Sequence, residues 1–354
     1  MLRLAAPLLV LSLCAAAPAR ADDMDLALGR LRIVGGQDGC SPARTEQQFS
    51  PNNELFERLV SEVAVAIAPG VSTPAHSIGA SGLRLGLSTT VTSVEANQSY
   101  WLLGTEGADA SAAEPFNAAP EQALVVNRLE LRKGLPFGLE VATHFGHGMS
   151  TSMWIMGAGL KWSLVEGFRT GTGKLPDVAL SGSLSRSVGT SQAIFHVGSA
   201  ELTLSKPFVV ARSWRFSPLA GLQVLLVDVE SDVVDLTPGG VSDTPGTAPV
   251  EDAVESCIPE PGNALDGGRP TNILCNGDGS DLDNDVVFDP VSHERARLFL
   301  GAQARYDFFT LAMSVHFDLV GPTVQAAKTR GEPNLRSESA ARHVAFNLAL
   351  GATL

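Results

Sequence analysis

From about residue 77 onward, apolar and polar positions alternate with a period of two, which is the period of a strand and not of a helix. In the stretch 295–308, Ala296, Leu298, Leu300, Ala302, Ala304, Tyr306 and Phe308 share one face. Arg295, Arg297, Gly301, Gln303 and Arg305 share the other, with Phe299 as the one apolar residue among them. Similar alternation predicts ten strands, near 77–94, 123–134, 137–147, 152–167, 177–188, 192–205, 213–230, 293–307, 310–320 and 339–354. Their apolar faces suit either a protein core or lipid.

The first part of the chain reads differently. Met1–Ala21 has the form of a secretory signal: Arg3, an apolar run from Leu4 to Ala17, and Ala19-Arg20-Ala21 as a small-x-small cleavage site. A polar, irregular stretch follows. A helix is then expected with Ser50 as its N-cap and Pro51 in its first turn. Leu55, Phe56, Leu59, Val60, Val63 and Ile67 recur at helical spacing, and Pro69 ends the run. Such a helix could plug or dock at a barrel mouth, or pack on a neighbour for stability.

Connection lengths add topology. The segments 95–122, 231–292 and 321–338 are long and fall on one side of the strand array. Tight turns at Gly134-Leu135-Pro136 and around Asp307-Phe308-Phe309 fall on the other. Aromatic residues gather at the tight-turn side: Phe137, Trp162, Phe168, Trp214, Phe216, Tyr306 and Phe308, with Trp154 at the opposite side. An interfacial girdle has this arrangement.

With this pattern the chain resembles Gram-negative outer-membrane β-barrel proteins, in architecture over 77–354 and in targeting over 1–21. The resemblance implies an all-β fold: a transmembrane antiparallel up-and-down β-barrel of about ten strands (roughly 8–12), with a short N-terminal periplasmic helix. It implies a signal peptide at 1–21, a periplasmic segment at 22–70, the barrel at 71–354 with a long acidic external loop at 231–292, and residence in the cell outer membrane against its lipid.

Charge is distributed unevenly. Between Asp228 and Pro290 fifteen acidic residues face a single basic one, Arg269; that net −14 exceeds the −13 of the whole chain, so the acidity belongs to one segment. No basic patch points to nucleic acid. In an exported chain Cys257 and Cys275 are expected to form a disulfide, with Cys40 left over. Asp278, Asp281, Asp283 and Asp285 form a weak candidate calcium site, but the glycine and closing glutamate of a helix–loop–helix calcium loop are absent. A solvated acidic loop is the simpler reading, and divalent cations could bridge it to anionic lipid. Gly171-Thr172-Gly173-Lys174 lacks the context of a phosphate-binding loop, and no zinc-type Cys/His spacing occurs. No cofactor is expected.

The inward register carries Arg84, Arg128, Glu130, Arg132, Glu140, Lys161, Glu201, Arg215, Arg295, Arg297, Arg305, His316 and Asp318. In a barrel of about ten strands these side chains either fill the interior with ion pairs or line a narrow polar channel. His316-Phe317-Asp318 places an imidazole and a carboxylate on one strand face, which resembles the outer-membrane aspartate/histidine proteases. No matching second acidic pair is found, and enzyme activity is not expected. The leading expectation is a passive channel or transporter for small solutes. The alternatives are a closed barrel serving as adhesin, receptor or structural envelope protein, an omptin-like hydrolase, and a water-soluble β fold.

Overall fold

The computed structural model describes residues 22–34, 49–70, 73–107, 116–166, 175–190, 192–210, 213–236, 285–320 and 342–354, with the backbone of 257–259, 265–266, 269–270 and 273–275. Ten alternating stretches form strands: β1 Leu83–Ser93, β2 Ala123–Gly134, β3 Leu139–Gly148, β4 Trp154–Val165, β5 Asp177–Val188, β6 Ala193–Ser205, β7 Trp214–Ser231, β8 Val291–Tyr306, β9 Phe309–Val320 and β10 Val344–Thr353. Each pairs antiparallel with the strand next in sequence, and β10 pairs with β1, so the sheet closes on itself. The seam is sealed where Leu83 N–H donates to Leu354 O at 3.0 Å and Leu354 N–H donates to Leu83 O at 2.7 Å. Closure removes every sheet edge, as a strand array in lipid requires.

Side-chain direction follows the alternation. Leu85, Leu87, Leu129, Leu131, Leu160, Leu222, Leu300, Met313 and Leu348 all point outward and are exposed. An apolar surface this extensive around a closed barrel is the lipid face of an outer-membrane protein. At the tight-turn rim, Trp162, Trp214, Phe216, Tyr306, Phe308 and Phe309 are exposed, and the Trp214 and Tyr306 rings lie 5.0 Å apart. Trp154, stacked on Phe145 at 5.0 Å, marks the opposite rim. Phe137 does not open β3 as the pattern predicts; it sits in the turn before it at φ 64°, followed by Gly138 at φ 75°. Two successive left-handed residues match the twist a tight hairpin needs. Phe168 lies outside the described residues. Pro218 is tolerated within β7 because its carbonyl accepts from Lys206 N–H, one residue past the last β6–β7 pair. Its missing N–H therefore points to where the β6 ladder has ended.

The helix α1 spans Asn53–Ile67, and its N-cap is Asn52, whose Oδ1 accepts from Leu55 N–H at 3.2 Å. The expected Ser50 cap and Pro51 first turn are instead used in a short ladder, Ile33 opposite Ser50 and Arg32 opposite Pro51. A second helix, α2, spans Ser99–Gly104 in the β1–β2 connection.

The larger departure from expectation is the position of α1. It is not a periplasmic element ahead of the barrel; it lies inside the barrel. Phe56, Leu59, Val60, Val63, Ala64 and Ile67 belong to one buried cluster with the inward residues Val126, Ile155, Phe195, Val197, Leu225, Val227 and Val229. Leu28, Leu31, Tyr100, Trp101 and Phe288 complete this core at the long-loop rim, where Phe56 stacks on Phe288 at 4.6 Å. The wall makes room with small inward residues, Gly146, Gly157 and Gly159 on β3 and β4, and Ser181, Ser183, Ser185 and Ser187 on β5.

Candidate functional site

Four of the residues singled out from the sequence, Arg128, Glu140, Lys161 and Arg297, hold the chain's own N-terminal segment. Residues 22–31 lie across the long-loop rim. Asp25 Oδ1 accepts from Ser152 N–H at 2.6 Å, Gln192 Oε1 from Leu28 N–H at 2.6 Å, and Arg30 donates to Thr105 O at 2.9 Å. From there α1 enters the barrel with Asn53 at the rim, its Nδ2 donating to Asp289 Oδ2 at 2.7 Å. Glu62, deeper in the lumen, is buried and accepts from Tyr100 Oη at 2.6 Å, Trp101 Nε1 at 2.8 Å and Glu95 N–H at 3.0 Å. Burial, reinforced by the hydrogen bond to Glu62 and by the nearby Glu95 carboxylate, pushes the Tyr100 hydroxyl well above the ordinary tyrosine range.

The C-terminal turn of α1 has no basic residue of its own. Its carbonyls carry the negative end of the helix dipole and would be unsatisfied in a dry lumen. The wall supplies the missing donors. Arg128 Nη2 donates to Ile67 O at 2.8 Å and Ala68 O at 3.1 Å, Arg297 Nη2 donates to Val65 O at 3.0 Å, and Gln223 Nε2 donates to Pro69 O at 3.0 Å.

Beyond the helix, the chain continues down the lumen as an extended strap to the start of β1. Lys161 Nζ donates to Pro74 O at 2.9 Å and His76 O at 3.1 Å, and Ser163 Oγ donates to Ala75 O at 2.7 Å. Ser77 N–H donates to Glu166 Oε1 and Ile78 N–H to Glu140 Oε1, both at 2.7 Å. The strap cannot form secondary structure with itself, so wall side chains satisfy its peptide groups one by one.

The remaining charges pair with each other. Glu140 lies 3.3 Å from Lys161 and 3.5 Å from Arg132, and Arg132 Nε donates to Glu130 Oε1 at 3.0 Å. Arg295 and Arg297 each donate to one oxygen of Asp318 at 2.9 Å. His316, on the same strand face as Asp318, places Nε2 3.2 Å from Ser314 Oγ and its ring 5.6 Å from Phe299. Glu201 accepts from Ser181, Ser199 and Gln223. Arg215 and Arg305 stand opposite one another at the tight-turn rim, Arg215 exposed. Glu130, His144, Ser181, Ser183 and Glu201 face inward and are half-buried. A hollow of about 760 Å³ lies elsewhere, on the outer wall between Leu184, Arg186, His196, Leu226 and Glu294.

The acidic candidates Asp278, Asp281 and Asp283 lie outside the described residues, as do Cys40 and the segment 1–21; of Asp285 the backbone alone is described, opposite Asp235. No group of three or more His, Cys, Asp or Glu side chains able to hold a metal occurs among the described residues. Cys257 and Cys275 are register partners in a short antiparallel ladder.

The element that sequence reasoning missed is the strap, described at 68–70 and 73–82. Its signal was available in the wall. The run Val224-Leu225-Leu226-Val227 is apolar on both faces, which calls for an apolar occupant inside as well as lipid outside.

No protein-family model matches the sequence, and no curated protein matches it either. Among solved structures, Neisserial surface protein A is 8% identical, with 77% of this chain and 95% of that one covered and a TM-score of 0.25. Ail, the attachment invasion locus protein of Yersinia pestis, is 8% identical over 78% of this chain and 99% of that one, with a TM-score of 0.23. LpxR from Salmonella typhimurium is 10% identical over 75% of this chain and 99% of that one, with a TM-score of 0.27.

Proposed function

We propose that this protein is a closed outer-membrane barrel that works at the cell surface as a receptor or adhesin, through the face built from residues 22–31, α2 and the long loops. One observation supports this reading over a passive channel: α1 and the strap occupy the lumen from one rim to the other, each fixed by buried hydrogen bonds to the wall. Steady solute passage would require that segment to leave. The acidic 228–290 stretch, with its net −14, suits a basic partner or one bridged by divalent cations. A hydrolase reading draws no support from Asp318, whose two carboxylate oxygens are taken by Arg295 and Arg297.

Planar-bilayer recording of the purified protein tests the proposal. A closed barrel gives no steady current at moderate voltage. A stable ohmic conductance in the wild type would refute it and return the channel reading to first place.

A further inference from the structure

The outer wall carries a row of ionisable side chains near the long-loop rim. Register sets them side by side: Arg186 on β5 opposite His196 on β6, and His196 opposite Asp228 on β7. Glu294 on β8 stands one step lower, opposite Leu226. All four are exposed, while their chain neighbours Ser185, Val197, Val227 and Arg295 are buried. Among the described residues none of the four side chains has an ion pair or hydrogen bond.

The aromatic girdle fixes their depth. Arg186 is the register partner of Met156, two residues along β4 from Trp154, which marks that rim. A two-residue step is about 7 Å, so the row lies just beneath the girdle, where headgroups meet hydrocarbon. Charge on the lipid face is costly toward the midplane and tolerated near the interface, where headgroups supply counter-charges.

The row borders the hollow of about 760 Å³, which reaches down to Leu184, Gly198 and Leu226. Gly198 is the register partner of both leucines, so this end of the hollow has a bare floor between apolar sides. One end therefore suits a hydrocarbon chain and the other a polar headgroup. The charges do not suit a purely anionic headgroup, because one guanidinium stands against two carboxylates.

We propose that the hollow binds a phospholipid with a phosphoethanolamine headgroup. Its phosphate lies on Arg186, its primary ammonium against Asp228 and Glu294, and an acyl chain over Gly198. The phosphate and the ammonium, two carbons apart, present both signs within one headgroup. Phosphatidylglycerol offers the phosphate alone and meets the two carboxylates with a like charge. The site belongs to the wall and is independent of whether the lumen conducts.

Native mass spectrometry of the full-length protein, given equal amounts of phosphatidylethanolamine and phosphatidylglycerol with matched chains, tests the proposal. The expected result is one tightly held phosphatidylethanolamine per barrel, preferred about tenfold. Arg186→Gln should weaken both lipids. Asp228→Asn combined with Glu294→Gln should abolish the preference by admitting phosphatidylglycerol, an effect that loss of folding cannot produce. Gly198→Phe, checked for folding by heat-modifiable gel migration, should lose the bound lipid. Equal binding of the two lipids by the wild type, an unchanged preference in the double variant, undiminished binding by a folded Gly198→Phe, or tighter retention of lipid A, a phosphorylated glycolipid, would overturn it.

Discussion

The guanidinium of Arg128, on the barrel wall, caps the C-terminus of the lumenal helix: its Nη2 donates to the carbonyl oxygen of Ile67 at 2.8 Å, while Nη1 is tied to Thr90 Oγ1 at 3.0 Å. A cation on one strand therefore completes a helix that lies far earlier in the sequence. Such a contact locks the helix to its enclosure, because the negative end of its dipole and the fixed positive charge neutralise each other in a dry interior.

Replacing Arg128 by Met leaves two buried carbonyls without donors. The expected loss of stability is about 2–4 kcal/mol, the range for removing a charged donor from a buried network. Arg128→Lys should recover part of it. Urea unfolding in lipid vesicles, followed by tryptophan fluorescence, measures both. If the helix is loosened without global unfolding, brief current openings should accompany the Met variant alone.

Tyr100 gives a pH dependence of defined sign. Its hydroxyl is buried against Glu62, so the folded state keeps the proton to higher pH than the unfolded chain does. Below the ordinary tyrosine value of about 10 both states are protonated and nothing changes. Above it the unfolded chain releases the proton first, so stability falls as pH rises. An alkaline absorbance titration should register Tyr100 only together with unfolding. Tyr100→Phe should remove that alkaline component and lower stability at neutral pH by about 1–2 kcal/mol through the lost hydrogen bond. A Tyr100 signal that titrates reversibly near its ordinary value would contradict the assignment.

The rim carrying the long connections faces outward in barrels of this class, and residues 22–34 and 49–53 lie on that rim. An epitope inserted between Val34 and Phe49 should bind antibody on intact cells. One inserted in the Asp307-Phe308 turn should bind only after permeabilisation. The reverse pattern would turn the barrel upside down in the membrane.

Cys257 and Cys275 stand opposite each other in register, as the expected disulfide requires. Intact mass after alkylation without reductant should show these two thiols protected, and Cys257→Ser should free Cys275. Because the pair lies within the long acidic loop and outside the barrel, the barrel's melting temperature should change by no more than about a degree or two. Full alkylation of both cysteines in the exported protein would exclude the bond.

The strands were legible because lipid imposes a strict rule on every second residue. Leu85, Leu87 and Leu131 alternate with Gly86 and Arg132 since one face meets hydrocarbon and the other does not. The arginines were legible as inward for the same reason. Their partners were not, because Arg128 and Arg297 bond main-chain carbonyls of Ile67 and Val65, which leave no mark on side-chain pattern. The periodicity of the helix reveals its existence but not its place. Its second half, from Ser61 to Ile67, is buried on every side, and a helix apolar almost all round belongs in an enclosed site, not on a surface. Phe299, an exception in the alternation of β8, was an interior clue of the same kind; it is fully buried in the lumen against His316.

The bonds between Leu83 and Leu354 join the two ends of the strand array around a segment that precedes them both. A thread already inside a finished hoop cannot be inserted from the side. The helix Asn53–Ile67 can reach its place only if the hoop is tied around it or if it is drawn in lengthwise, and any agent that later withdraws it must likewise pull it lengthwise through an opening about one helix wide.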